Sequence, residues 1–111
     1  MNESQASPTF GYRVARDGST ATVVARGEID LASSPELRRE LQALIDDGVQ
    51  DIVLDLEAVT FIDSSGLGVL VGALKRIKEA GEGSLGIRGL NGPVRKVFEI
   101  TGLYELFSVE R

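Results

Sequence analysis

The chain has no cysteine and no histidine. Without thiols there can be neither a disulfide nor a thiolate metal site. Without imidazole, a serine nucleophile lacks its usual general base, and zinc lacks its commonest ligand. Long apolar runs are also missing. The longest, Gly66 to Leu74, is nine residues and ends at Lys75, whereas a bilayer span needs about 20. Excess positive charge is absent too. The formal net charge is -5, which argues against a broad electrostatic hold on nucleic acid or anionic lipid. No G-x-x-x-x-G-K-[ST] loop occurs, so intrinsic nucleotide hydrolysis is not expected. The opening "MNESQASPT" has neither a basic start nor an apolar stretch, unlike a secretory signal. Residues 1–9 are read as a disordered lead, and the protein is expected in the cytoplasm.

What is present suffices for one folded domain, assigned to residues 10–111. The 111 residues are 42% hydrophobic and 26% charged, a balance that supports a buried core. In "FGYRVAR", Phe10, Tyr12 and Val14 alternate as in a strand, and Asp17-Gly18 predicts a hairpin turn into "TATVVARGEI". Leu37, Leu41, Leu44 and Ile45 make the apolar stripe of a helix ended by Gly48. Its start has two candidate caps. Ser34 would put Pro35 first in the helix, while Ser33 would form a capping box with Glu36.

"DIVLDL", residues 51–56, reads as a central strand. A second helix runs to about Ala80, with Leu67, Leu70, Val71, Leu74 and Ile77 as its stripe and Gly81 as its stop. "SLGIRGL" is a further strand, and "NGPVRKVFEITG" a third helix between Pro93 and Gly102. The second half of "LYELFSVE" is the last strand. The order β-β-α-β-α-β-α-β predicts an α/β fold. It has an N-terminal hairpin, a mixed, mostly parallel sheet, and helices packed on it.

The stretch "FIDSSGLG", Phe61 to Gly68, falls between the central strand and the second helix. Ligands and chemistry gather beyond the carboxyl ends of strands in such sheets. A helix mouth also offers unpaired N–H groups and partial positive charge, which tolerate a phosphate. Asp63, Ser64 and Ser65 are equally suited to be helix caps. Gly66, Gly68 and Gly72 cost roughly 1 kcal/mol each relative to alanine in a helix. That cost points to close packing or to access for a partner.

Three segments then resemble one family. "GEIDLASS" (27–34), "DIVLDLEAVTFIDSSGLGVLVGALKRIKEAG" (51–81) and "GLNGPVRKVFEITGLYELFSV" (89–109) are similar, in order and spacing, to the STAS domain of bacterial anti-sigma factor antagonists. The resemblance covers nearly everything after residue 9. It implies that Ser64, the first serine after the aspartate, is a phosphorylation site, with Asp30 an acidic neighbour. It implies a partner-binding face of Asp30, Asp63, Ser64, Ser65, Gly66 and Leu67. The implied function is partner switching. The unphosphorylated protein binds an anti-sigma factor serine kinase and frees a sigma factor. Phosphorylation of Ser64 ends the complex, and a PP2C-type phosphatase restores the hydroxyl. The protein itself would be no enzyme and would need no cofactor or metal. The alternative is a non-switching STAS subunit of a stressosome or of a lipid-transport ATPase complex.

Other motifs have plainer readings. Asp51, Asp55, Glu57 and Asp63 could suggest Mg²⁺ chemistry, and "IVLDL" resembles the acceptor strand of a response-regulator receiver. A receiver needs an acidic pair after its first strand, where this chain has the turn "VARDG". These acids are read as strand ends and caps. Gly68-x-x-x-Gly72 is read as close packing, and "LKRIKEAG" and Arg95-Lys96 as solvated faces.

Overall fold

Strand alternation at the N-terminus produces the hairpin it predicts. In the computed structural model, which describes residues 9–110, β1 (Phe10–Asp17) and β2 (Thr20–Ile29) pair antiparallel. Between them Gly18 takes a φ of 63°, a conformation that glycine adopts at little cost. There follow α1 (Ser34–Asp46), β3 (Asp51–Ile62), α2 (Ser64–Ala80), β4 (Ser84–Arg88), α3 (Gly92–Thr101) and β5 (Ser108–Glu110). A single 3-10 turn, Leu103–Glu105, joins α3 to β5. The lead expected over residues 1–9 lies outside the described residues except at Thr9. The Thr9 carbonyl accepts the Glu28 N–H at 2.6 Å.

The sheet is ordered β1-β2-β3-β4-β5, and every pair after the hairpin is parallel. Each helix connects two neighbouring strands and steps in the same direction. Right-handed crossovers therefore place all three helices on one face. Burial agrees with this. Ala21, Val23, Ala25, Ile52, Leu54, Leu56, Leu85 and Ile87 are at most 4% exposed, while Thr22, Val24, Val53 and Gly86 between them are only half-buried.

β3 is twice as long as the apolar run "DIVLDL" predicts, with 12 residues. β4 stops at Arg88 opposite Asp55, so the outer half of β3 pairs with β2 alone. Two register shifts in β2–β3, at Val24/Arg26 and Gly27/Glu28, let that half continue. Asn91 covers part of the free edge, its Nδ2 standing 3.1 Å from the carbonyl oxygens of Glu57 and Val59. The outer half of β3 thus holds strand geometry through backbone pairing with β2 and one side-chain amide.

α1 buries the predicted stripe of Leu37, Leu41, Leu44 and Ile45. Neither candidate serine caps it, however: Ser33 stands at the N-cap position and makes no capping hydrogen bond. Its hydroxyl is committed to the preceding turn. In α2 the stripe is rotated from the expectation. Val69 and Ala73 join Leu67, Leu70 and Ile77 in the core, Leu74 is half-buried, and Val71 is 37% exposed.

The glycines of α2 divide into two kinds. A Cβ on Gly66 would stand 2.7 Å from Ile29 Cγ2 and 2.8 Å from Ile62 Cγ1. That glycine exists for close packing over the ends of β2 and β3. Around Gly68 and Gly72 a Cβ meets nothing within 4 Å, so close packing does not explain the G-x-x-x-G. Opposite effects follow. Gly68→Ala and Gly72→Ala should each stabilise the fold by up to about 1 kcal/mol. Gly66→Ala should destabilise it by about 1–3 kcal/mol through overpacking. Urea denaturation of the three variants checks the signs.

Of the acids considered for metal chemistry, Asp51 and Asp55 have structural partners within the sheet. Asp51 accepts the Ser84 hydroxyl at 2.9 Å. Asp55 accepts the Glu57 N–H at 3.0 Å and pairs with Arg88 at 3.2 Å. The basic cluster at the end of α2 is also engaged. Arg76 pairs with Asp46 of α1, and Lys78 donates to the Gly83 carbonyl. Arg95 donates to the Tyr104 hydroxyl.

Candidate functional site

Parallel pairing brings the two acids of the site together. Ile29 is opposite Ile62 at the ends of β2 and β3. The next residue on each strand, Asp30 and Asp63, therefore leaves the sheet at the same edge. The Asp63 N–H donates to the Ile29 carbonyl at 3.2 Å and ties the two exits to each other.

Asp63 is extended, with φ -114° and ψ -171°, and caps α2. Its Oδ1 accepts the N–H of Ser65 at 2.9 Å and of Gly66 at 3.2 Å. This is the N-cap role for which aspartate is favoured, and it also places a carboxylate at the positive end of the helix. Asp63→Ala should cost about 0.5–2 kcal/mol, measurable as a lower denaturation midpoint with an unchanged slope.

With Asp63 as cap, Ser64 is not needed to cap α2. It is the first residue of α2 and is exposed, and no hydrogen bond among the described residues uses its hydroxyl. Ser65 is half-buried, and its N–H is spent on Asp63. Gly66 and Leu67 face inward: Gly66 packs on Ile29 and Ile62, and Leu67 is 7% exposed. Of the six residues expected on the binding face, these two are part of the core. Asp30, Asp63, Ser64 and Ser65 reach the surface.

Asp30 opens a tight turn. Its Oδ1 accepts the N–H groups of Ala32 and Ser33, both at 3.0 Å. The buried Ser33 hydroxyl accepts the Asp30 N–H at 2.9 Å and donates to the Glu28 carbonyl at 2.8 Å. The serine that sequence patterning marks as a helix cap is in fact the lock of this turn. Sequence reasoning also passes over two apolar residues at the site. Leu31, at the turn's tip, is 76% exposed, and Phe61, paired with Glu28 across β2–β3, is 48% exposed. The available signal for Leu31 is a large apolar residue outside the helix stripe in the polar run "DLASS".

The described residues form one small α/β domain with an exposed serine at the mouth of its second helix. Residues 12–111 match the family model of the STAS domain, and the chain belongs to that family. Its relatives include anti-sigma-B factor antagonists. The one from Staphylococcus aureus (strain NCTC 8325 / PS 47) is 41% identical over 83 residues, 75% of this chain and 76% of that protein. The one from Bacillus subtilis (strain 168) is also 41% identical over 83 residues, 75% of this chain and 74% of that protein. The crystal structure of an anti-sigma factor antagonist from Mycobacterium paratuberculosis superimposes with a TM-score of 0.79. It is 30% identical, covering 94% of this chain and 88% of that one.

Proposed function

We propose that this chain is an anti-sigma factor antagonist switched by phosphorylation of Ser64. The observation that carries the reading is the division of labour at the start of α2. Asp63 does the capping, and the exposed Ser64 hydroxyl makes no hydrogen bond among the described residues. A serine needed for structure could not be modified without loss of the fold, whereas this one can. The named antagonist relatives and the STAS assignment support the same reading.

In this mechanism the unmodified protein docks on an anti-sigma factor that is also a serine kinase, and a sigma factor is released. ATP bound to the kinase supplies the γ-phosphoryl group. The Ser64 oxygen forms the new P–O bond, ADP leaves, and a kinase base takes the hydroxyl proton. A PP2C-type phosphatase later hydrolyses the phosphoserine. The chain acts as substrate and ligand, and does no catalysis. Asp30, Asp63, Ser64 and Ser65 form the accessible part of the docking face.

The test is a phosphopeptide map after incubation with the cognate kinase and ATP. Phosphate is expected on Ser64. Phosphate mainly on Ser65 or Thr60 would overturn the site. Stable binding to a transporter subunit with no modification would favour a non-switching STAS subunit.

A further inference from the structure

We infer that β1 is a docking edge for a second copy of this chain, pairing antiparallel with that copy's β1 about a two-fold axis at Val14. The inference stands apart from the Ser64 switch. Among the described residues β1 is the end strand of the sheet, so one side of its backbone faces no other strand. The register shows which groups face outward. The Thr9 carbonyl accepts the Glu28 N–H, and Asp17 pairs with Thr20 across the hairpin turn. Odd-numbered residues therefore turn their backbone groups toward β2, and Phe10, Tyr12, Val14 and Arg16 turn theirs away. No described residue bonds to these outward groups. Sheets commonly blunt such an edge with proline, a bulge or a very short strand. β1 has eight residues, no proline and an unbroken register.

Charge selects both the occupant and the alignment. The outward groups of two antiparallel copies meet only when even-numbered residues stand opposite even-numbered ones. Two such alignments give the longest overlap, one centred on Arg13 and one on Val14. Centring on Arg13 sets two like charges directly opposite each other, which is destabilising. Centring on Val14 sets Arg13 opposite Ala15 of the second copy. Asp17 of that copy then takes the diagonal position, within reach of a long side chain. Arg13 and Asp17 are exposed, lie on one face of β1, and have no ion-pair partner among the described residues. On the face covered by helices, Tyr12 meets Arg16 of the second copy. The Tyr12 hydroxyl donates to Glu40 of α1 at 3.1 Å, so an acid stands beside the arriving guanidinium. A strand from another protein would have to supply this charge pattern, whereas a second copy carries it by symmetry. Ser64 follows β3, two strands in from the seam, and stays open in the dimer.

The experiment is sedimentation equilibrium of the full chain at about 10–500 µM, a range suited to a small, transient interface. Wild type should form a dimer that salt weakens. Arg13→Asp and Asp17→Arg should each weaken association at least tenfold, while circular dichroism and the denaturation midpoint stay near wild-type values. The double variant restores the pairing across the seam and should return to within threefold of wild type. Val14→Cys adds a second readout, because the chain has no other thiol. Residues of a hydrogen-bonded pair stand about 5.5 Å apart between Cα atoms, inside the range that a disulfide bridges. Mild oxidation should therefore cross-link Val14→Cys much faster than Arg13→Cys. A monomer at every concentration, with no cross-link, would overturn the inference. So would a dimer that both single charge reversals leave unchanged, because the contact would then lie on another face. Faster cross-linking of Arg13→Cys than of Val14→Cys would overturn the alignment about Val14.

Discussion

Phosphorylated protein should bind the anti-sigma kinase at least tenfold more weakly than unmodified protein, a difference of about 1.4 kcal/mol or more. The cause is charge at the point of closest approach. To accept a phosphoryl group, the Ser64 oxygen must reach the nucleotide phosphates of the kinase. After transfer, about -1.5 to -2 charges sit where a neutral hydroxyl stood. They face the remaining nucleotide phosphates across a desolvated contact, with Asp63 beside them. Within the free protein the cost is smaller, because the N-terminus of α2 offsets part of it, by about 0.3–1 kcal/mol. The fold should therefore survive modification while the complex does not.

Three variants separate charge from shape. Ser64→Ala removes the acceptor oxygen and adds no charge, so it should bind the kinase and not be released by ATP. Ser64→Asp should bind more weakly than wild type. It should also bind more tightly than the phosphorylated form, because aspartate carries less charge with different geometry. Calorimetry of all four proteins against one kinase decides the matter, with circular dichroism as the control for folding. Equal affinity of the phosphorylated and unmodified proteins would sink partner switching, even with Ser64 established as the modified residue.

The architecture was legible wherever a local rule and the tertiary structure agree. Alternation in "FGYRVAR" and the Asp17-Gly18 turn specify the hairpin, and the stripe Leu37, Leu41, Leu44, Ile45 specifies the buried side of α1. The failures came where tertiary context decides. The apolar run stops at Leu56, yet pairing with β2 and cover from Asn91 carry the strand on to Ile62. Val71 fits a helical stripe as well as Val69 does. Which of them is buried depends on the rotation of α2, and Gly66 sets that rotation by lying directly on Ile29 and Ile62.

At the site, residue types narrowed the roles without assigning them. Asp63, Ser64 and Ser65 can all cap a helix, and only the extended conformation of Asp63 shows which one does. Ser33 shows the same thing: it stands at the N-cap position of α1, yet its side chain makes no cap bond. A serine before Pro35 and Glu36 satisfies the pattern of a cap, but the turn opened by Asp30 takes its hydroxyl first. Short polar side chains serve whichever backbone group is nearest, and that neighbour is fixed by the meeting of β2 and β3 rather than by local spacing.

The same division of labour leads to the largest stability contrast expected in the molecule. Leu54 in β3 and Leu70 in α2 are both 0% exposed, in the layer between the sheet and its helices. Truncation of either to alanine removes buried methyl groups and leaves a cavity, at a cost of about 2–5 kcal/mol. A domain with a total stability of about 5–15 kcal/mol would lose a large fraction of it. Ser64→Ala should lie within about 0.5 kcal/mol of wild type, as expected of an exposed position with no structural bond. Alanine is also the better helix former at that first position, and Asp63 keeps the cap in place. Denaturant unfolding ranks the three variants, with a constant slope to certify that only stability has changed. If Ser64→Ala lost as much stability as Leu54→Ala, the serine would be structural. The spare hydroxyl on which the phosphorylation reading depends would then not exist.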